Sequence, residues 1–397
     1  MQRVKEVIRT IETNDSPERF RDLGVNVVFG EGQFTGKRSF TVGDQAINAR
    51  KFVIATGSRP AIPSIAGLDQ VPYLTNETLF SLQEDVPKLI ILGAGPIGCE
   101  IAQAFARLGS EVHVIDMATQ ILPREDPDMA KFVEKSMIID GVQFYLGQRV
   151  LYAERAAKEI VINIVDQEDQ ETRLQGSHLL IAAGRRANVE NMGLEAAGVR
   201  LANGRLITDT RLRTTNKNIF ACGDVAGPYQ FIHMAEHQTG VVLRNALFYI
   251  PTKTKTTAIP WCIFTDPELA RIGLSEPEAK QQRINHRVYT FPFSEIDRAV
   301  AEGERAGIAK IITTPKGKLL GAAISGLHAG ELIHEYVLAL SKGLNVSDLS
   351  TTIHIYPTLA QINRRVADQR LKESLTPLRK KWIRRLFSLN GDLACES

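Results

Sequence analysis

Three glycines at residues 93, 95 and 98 stand in the run LIILGAGPIGCEIAQAFARLGSEVHVID, between a short apolar stretch and a segment with helical apolar spacing. The apolar run Leu89 to Leu92 reads as a buried parallel strand, and the second apolar run ends on Asp116. Each glycine has a separate job in such a turn. Gly93 permits the tight bend, Gly95 lets backbone come close to a pyrophosphate, and Gly98 lets the helix pack on the strand. The helix N-terminus then presents free N–H groups to phosphate. The loop and first turn, Gly93, Ala94, Gly95, Pro96, Ile97, Gly98, Cys99 and Glu100, are therefore the candidate contacts to a dinucleotide. Asp116 follows at the spacing where a carboxylate accepts the adenosine ribose 2′-OH and repels a 2′-phosphate, and the next basic residue is Arg124. NAD(H) is thus expected over NADP(H). Glu100, in the first turn, also suits the helix dipole.

The elements that must position this loop are legible on either side. Val4, Val7, Ile8 and Ile11 predict a first helix, and Ser16 followed by Pro17 announces a second. Strands are expected at Asn26 to Phe29, Ser39 to Val42 and Lys51 to Ala55. The Pro- and Gly-rich stretch SRPAIPSIAGLDQVP marks a boundary. A nucleotide-binding unit over 70–186 ends in an antiparallel series and the strand His178 to Ala182, and a helix over His233 to Phe248 precedes the linker IPTKTKTTAIP. Strands and two helices beyond it read as a separate C-terminal domain.

Composition bounds the function. The chain has 397 residues, 44% hydrophobic and 23% charged, which suits a multi-domain enzyme. Its net charge is +3, while Lys372, Glu373, Arg379, Lys380, Lys381, Arg384 and Arg385 alone give +5 and leave the rest at −2. The body carries no electrostatic case for nucleic acid. No apolar run is long enough for a membrane span and MQRVKEVIRTIETND is no signal peptide, so a cytoplasmic location is expected. Cys99, Cys222, Cys262 and Cys395 lie far apart, so no metal site follows from their spacing. The first three are expected to be small buried hydrophobes.

Six runs in order carry a family resemblance: FVIATGSRP, GAGPIGCE, IAAGRRAN, NIFACGDVAG, PWCIFTDPELARIGLSE and HIYPTLAQIN. Together they resemble the class I pyridine nucleotide-disulfide oxidoreductases, and most of all the mercuric reductase-like flavoproteins. The resemblance implies an α/β fold. A Rossmann-like NAD-binding domain over 70–186 is inserted in a truncated FAD-binding domain over 1–69 and 187–253, followed by an α+β dimerisation domain over 254–370. The remainder, 371–397, is a basic tail. The implied activity is FAD-dependent oxidation of NADH with reduction of a disulfide, Hg(II) or another small acceptor, by a homodimer.

The resemblance also implies residue roles. Thr56 and Gly57 resemble the backbone turn beside bound FAD, and Gly223 and Asp224 resemble the motif whose carboxylate accepts from the ribityl chain. An Asp in that place also suits a helix cap. Gly184 and Arg185 resemble the turn closing the nucleotide domain beside the nicotinamide. Tyr356 and Gln361 stand where thiol reductases of the family carry a His and a Glu, which argues against a thiol-reductase base at this site and resembles mercuric reductases. His354 is expected to be packed. Family members open with a further glycine turn and a CxxxxC pair, and Met1 falls after both. The chain as given is therefore expected to hold FAD weakly or not at all, and a non-catalytic NAD(H)-binding dimer is the alternative reading.

The tail has a pattern of its own. Leu378, Trp382, Ile383, Leu386 and Phe387 follow helical spacing, with basic residues largely elsewhere around the helix. Such a helix either docks on its own dimer or lies on an anionic membrane surface.

Overall fold

The structure, a computed structural model, describes residues 1–256 and 258–389; Cys395 lies outside the described residues. The chain divides into two compact units. The first comprises Met1–Ile121 and Asp140–Thr256, and the second Leu122–Ile139 with residues 258–389. The stretch Leu122–Ile139 falls inside the 70–186 segment of the sequence but groups with the second unit.

In the first unit the strands His178–Ile181, Lys88–Leu92, Glu111–Asp116 and Val142–Leu146 form a parallel sheet in that spatial order. The continuous apolar run explains the strand at its centre: Leu89, Ile90 and Ile91 are wholly buried, as a parallel strand covered on both faces must be. The helix Pro96–Arg107 crosses between two of these strands and buries Cys99, Ala102 and Phe105. An antiparallel sheet of Arg149–Ala156, Glu159–Val165 and Glu171–Gly176 places Ile160, Ile162 and Ile164 in the same core as Ile90 and Leu179. The period of two along that strand puts alternate residues on one face.

Two further strand pairs hold the second set of candidate residues. Phe52–Ile54 runs parallel to Ile219–Ala221, and Ser58–Pro60 runs antiparallel to Arg185–Ala187. Phe34 packs edge-on against Phe40 and Phe52, tying the sheet Gly32–Gly36, Ser39–Val42, Gln45–Asn48 to them.

Several local expectations need correction. Asn26 to Phe29 form no strand: Gly24 and Gly30 at either end have positive φ, Phe29 is exposed, and no strand among the described residues pairs with them. Hydrophobic β-formers without a partner do not make a strand. The helix expected to run to Phe248 is Ile232–Ala246, because the Asn245 side chain bonds both the N–H and the C=O of Thr252 and turns the chain back. The first two helices form as expected, and Ser16 accepts from the Arg19 N–H. Even so, no side chain of Gln2–Glu12 is buried.

The second unit is an antiparallel sheet in the order Pro260–Ile263, Glu268–Gly273, Leu319–Gly326, Ile308–Thr313, Arg287–Pro292. More than two helices accompany it. His334–Lys342 and Gln361–Ser374 contribute Tyr336, Ile362 and Val366 to its core, and Pro127–Ile139 packs on the central strands. Cys262 is half-buried rather than buried, unlike Cys99 and Cys222.

Buried charge fastens Pro127–Ile139 to this sheet. Lys310, 3% exposed, donates to Asp126 and Asp128 at 3.0 Å and pairs with Glu276 at 2.9 Å. Next to it, Arg271 lies 3.1 Å from Glu125 and stacks over Trp261, whose indole N–H donates to Glu125. No helix among the described residues is long and apolar enough to cross a membrane.

Candidate functional site

The glycine turn has the geometry its sequence demands. Gly93 has φ +115°, and a Cβ there would lie 2.4 Å from the Ala182 carbonyl oxygen. A Cβ at Gly98 would lie 1.9 Å from the Gly93 oxygen. Gly95 differs: no protein atom lies within 4 Å of the place where its Cβ would sit. Two glycines therefore serve the fold and the third leaves room over the loop. Gly95 is the N-cap of Pro96–Arg107 and Pro96 occupies its first position, where a missing N–H costs nothing. The first-turn N–H groups that follow have no intrahelical acceptor, and with the helix dipole they form an anion seat.

Asp116 is built into that loop. Its Oδ2 accepts the Ala94 N–H at 2.7 Å and its Oδ1 the Ala118 N–H at 2.8 Å. An ionised carboxylate offers about four acceptor positions, so capacity remains for ribose hydroxyls. The Cys99 thiol donates to the Ala94 carbonyl from a fully buried position, which makes it a packing residue of the turn. Glu100 is half-buried in the first helical turn.

A second constellation forms around Asp224. Ser58 donates to Asp224 Oδ2 at 2.5 Å, Arg185 Nε donates to Ser58 Oγ at 2.7 Å, and Arg185 lies 3.7 Å from the same carboxylate. The register that pairs Ser58–Pro60 with Arg185–Ala187 sets up these contacts. The resemblance implies that Arg185 belongs to the turn beside the nicotinamide. The structure places its guanidinium on Ser58 and Asp224, among the candidate flavin residues. Gly184, with φ +117°, accepts from the Ala61 N–H on the same strand pair.

Thr56 and Gly57 are held by Asn188. The Thr56 hydroxyl donates to the Asn188 carbonyl at 2.7 Å, the Asn188 amide donates to the Thr56 carbonyl at 2.9 Å, and the Asn188 N–H donates to Gly57 at 3.0 Å. Gly57 has φ +69° and open space where a Cβ would sit. Gly223, also at positive φ, donates its N–H to Gln238 at 2.7 Å. Beside Asn188, Glu190 receives both arms of Arg59, whose hydrogen bonds push its carboxyl down to about 2. Ser58, Arg59, Asn188 and Gln238 were missed by the sequence reading. The strand pairing of residues 58–60 with 185–187 brings the first three together, and the helix Ile232–Ala246 carries Gln238 to Gly223; none of these contacts is local in sequence.

Tyr356 and Gln361 lie in the second unit. Tyr356 is exposed, and its hydroxyl donates to Asp297 at 3.0 Å. That hydrogen bond raises the phenol above its ordinary value, which leaves even less phenolate available to act as a base at neutral pH. Gln361 opens the helix Gln361–Ser374. His354 sits with Nε2 2.9 Å from Glu335 and Nδ1 3.0 Å from the Thr352 carbonyl, a packed imidazole as expected. Among the described residues, no group of three or more His, Cys, Asp or Glu is placed to hold a metal.

Parallel sheet, glycine turn and strand-end acid define a dinucleotide-binding α/β protein. The chain matches the pyridine nucleotide-disulphide oxidoreductase family over residues 5–239 and the dimerisation domain of that family over 259–366, and it belongs to this family. It is 32% identical to a mercuric reductase of Staphylococcus aureus over 87% of this chain. It is 38% identical to a dihydrolipoyl dehydrogenase of Chlamydia muridarum, covering 80% of this chain and 68% of that one. The chain spans 64% of the length of the S. aureus relative and 54% of a Bacillus cereus mercuric reductase to which it is 33% identical. Among solved structures it resembles the HOCl-induced flavoprotein disulfide reductase RclA of Escherichia coli, with TM-score 0.84 and 28% identity over 92% of this chain and 84% of that one. LpdA of Mycobacterium tuberculosis gives TM-score 0.82 at 26% identity, over 92% and 83%. The relatives are oxidoreductases, and the family uses FAD with a nicotinamide dinucleotide.

Proposed function

We propose that the chain works in an FAD-dependent oxidation of NADH coupled to reduction of a disulfide, Hg(II) or another small acceptor. The observation that carries this reading is the pairing of two built sites in one chain, the glycine turn locked by Asp116 and the turn at Thr56 and Gly57 beside Asp224. The first fits a dinucleotide pyrophosphate, because Gly95 leaves the loop uncovered and the helix N-terminus faces it. Asp116 accepts ribose hydroxyls and repels a 2′-phosphate, which supports NADH over NADPH.

The second fits a flavin's sugar chain. Asp224 Oδ2 is engaged by Ser58, leaving the carboxylate acceptor capacity for a ribityl hydroxyl, and Gly57 leaves its face open. When bound there, FAD supplies the two-electron relay between nicotinamide and acceptor. Arg185 and Ser58 orient Asp224, and Asn188 fixes the Thr56 and Gly57 backbone. We infer a homodimer joined through the C-terminal domain, and a cytoplasmic location belongs to the same reading. Tyr356 at the His position supports an acceptor other than a dithiol that needs a general base.

The test is a titration of the chain with NADH and NADPH, followed by NADH oxidation assays with FAD in excess and a disulfide or thiol-complexed Hg(II) as acceptor. Preferred NADH binding is expected, with acceptor-dependent oxidation that rises with the FAD added, as weak flavin retention requires. Nucleotide binding without oxidation by any acceptor would replace this reading with the non-catalytic dimer.

A further inference from the structure

The basic helix near the C-terminal end of the described chain takes no part in either site. It spans Pro377–Leu386, and Thr376 caps it by accepting the Arg379 N–H at 3.3 Å. With Pro377 at its first position, the start is set locally rather than by packing. None of its residues is buried. Leu378, Trp382, Leu386 and Phe387 are each about two-thirds exposed or more, and Ile383 and Leu389 are exposed as well. At ~100° per residue the apolar side chains from Leu378 to Phe387 cover roughly half the circumference of the helix. Lys380, Lys381, Arg384 and Arg385 occupy the other half, with Arg379 alone on the apolar side. A long arginine stem can lie along apolar surface while its head reaches water.

The charges decide what covers this face. From residue 377 to 389 there is no Asp or Glu. Lys381 and Arg385 are a like-charge pair at four-residue spacing, which weakens an isolated helix. An occupant must therefore bury an apolar stripe and supply diffuse negative charge along its borders. A bilayer containing anionic lipid does both, with Trp382 and Phe387 suited to the headgroup boundary. A ten-residue helix is about 15 Å long, enough to lie in that boundary and too short to span the hydrocarbon. We propose that Pro377–Leu386 is an interfacial anchor that seats this oxidoreductase on an anionic membrane surface.

The test uses the full chain and vesicles of phosphatidylcholine with and without phosphatidylglycerol. Cosedimentation with the anionic vesicles is expected, weak on the neutral ones and reduced by high salt. Lys380→Glu with Lys381→Glu should lower partitioning at least about 25-fold, taking roughly fivefold for each cation lost at an anionic surface. Trp382→Ala with Leu386→Ala should also release the protein. The blue shift in emission on adding anionic vesicles should vanish in Trp382→Phe, because Trp261 is packed within the second unit.

Absence of binding to anionic vesicles overturns the proposal, and so does equal, salt-independent binding to both kinds. A Trp382 emission already blue-shifted without lipid and dependent on protein concentration also overturns it, in favour of docking on a second copy of the chain.

Discussion

Asp116 at the end of one strand accepts the N–H of Ala94 just past the end of its neighbour, 2.7 Å away, so the acid proposed to read the ribose also holds the glycine turn in shape. Asp116→Ala should therefore weaken NADH binding about 10- to 100-fold, the equivalent of ~1.5 to 3 kcal/mol for a charge-assisted contact. NADPH should lose less, because it also loses a repulsion, so the two affinities converge. Parallel fluorescence titrations of both nucleotides measure this. Equal losses for NADH and NADPH would remove Asp116 from the ribose and leave it a purely structural role.

The glycines separate fold from ligand. Gly98→Ala puts a Cβ 1.9 Å from the Gly93 oxygen and must open the turn, lowering stability by several kcal/mol as overpacking does and abolishing nucleotide binding. Gly95→Ala meets no protein atom within 4 Å and has extended backbone at φ −75° and ψ −175°, so its melting temperature should stay within a degree or two of the parent. It should nevertheless bind NADH at least about tenfold more weakly, since the methyl occupies the phosphate approach. Thermal melts and NADH titrations of the pair decide the matter, and unimpaired NADH binding by Gly95→Ala would contradict the placement of the pyrophosphate.

The nucleotide turn was legible in sequence because it is local: glycines, helix start and strand-end acid fall within two dozen residues and obey one period each. Asp224 and the turn at 56 and 57 were legible only by resemblance. What joins them, Ser58 between Arg185 and Asp224, was invisible, because it depends on a strand pairing between residues 58–60 and 185–187. The failed strand at Asn26 to Phe29 has the complementary cause. Its residues favour extended backbone, but a strand is completed by a neighbour that no local pattern supplies. The association of Leu122–Ile139 with the second unit was likewise hidden, since Lys310 and its carboxylates are far apart in sequence.

That Lys310 cluster makes a stability prediction. Lys310→Met leaves Asp126, 1% exposed, without its cation and should cost about 3 to 5 kcal/mol in urea unfolding near neutral pH. The acid limb has a definite sign. Hydrogen bonds from Lys280 and then Lys310 hold Glu276 at about 2, below its ordinary value of 4.5. Its contribution is fully present above that ordinary value and is lost as pH falls through the folded value. Glu125 acts oppositely, because burial raises its carboxyl. Stability should fall between about pH 4.5 and 2, and Lys310→Met should flatten that fall without removing it, because Lys280 remains. A slope unchanged by the substitution would mean that Lys310 does not hold Glu276.

The proposed dimer has a face to test. In the second unit Ile353, Ile355 and Phe264 are 93%, 77% and 71% exposed, and Leu338 and Tyr356 are more than half exposed, within the matched dimerisation domain. Large apolar side chains this exposed are costly to leave in water, and burial in an isologous interface recovers roughly 1.5 to 3 kcal/mol for each one fully covered. A two-fold axis doubles every change, so one charge introduced in the interface acts twice. Ile353→Glu should shift sedimentation of a micromolar sample from dimer to monomer while leaving far-UV circular dichroism and NADH affinity unchanged, because the nucleotide turn lies in the other unit. A parent chain that sediments as a monomer at the same concentration, or an Ile353→Glu variant that remains a dimer, would place the interface elsewhere or remove it.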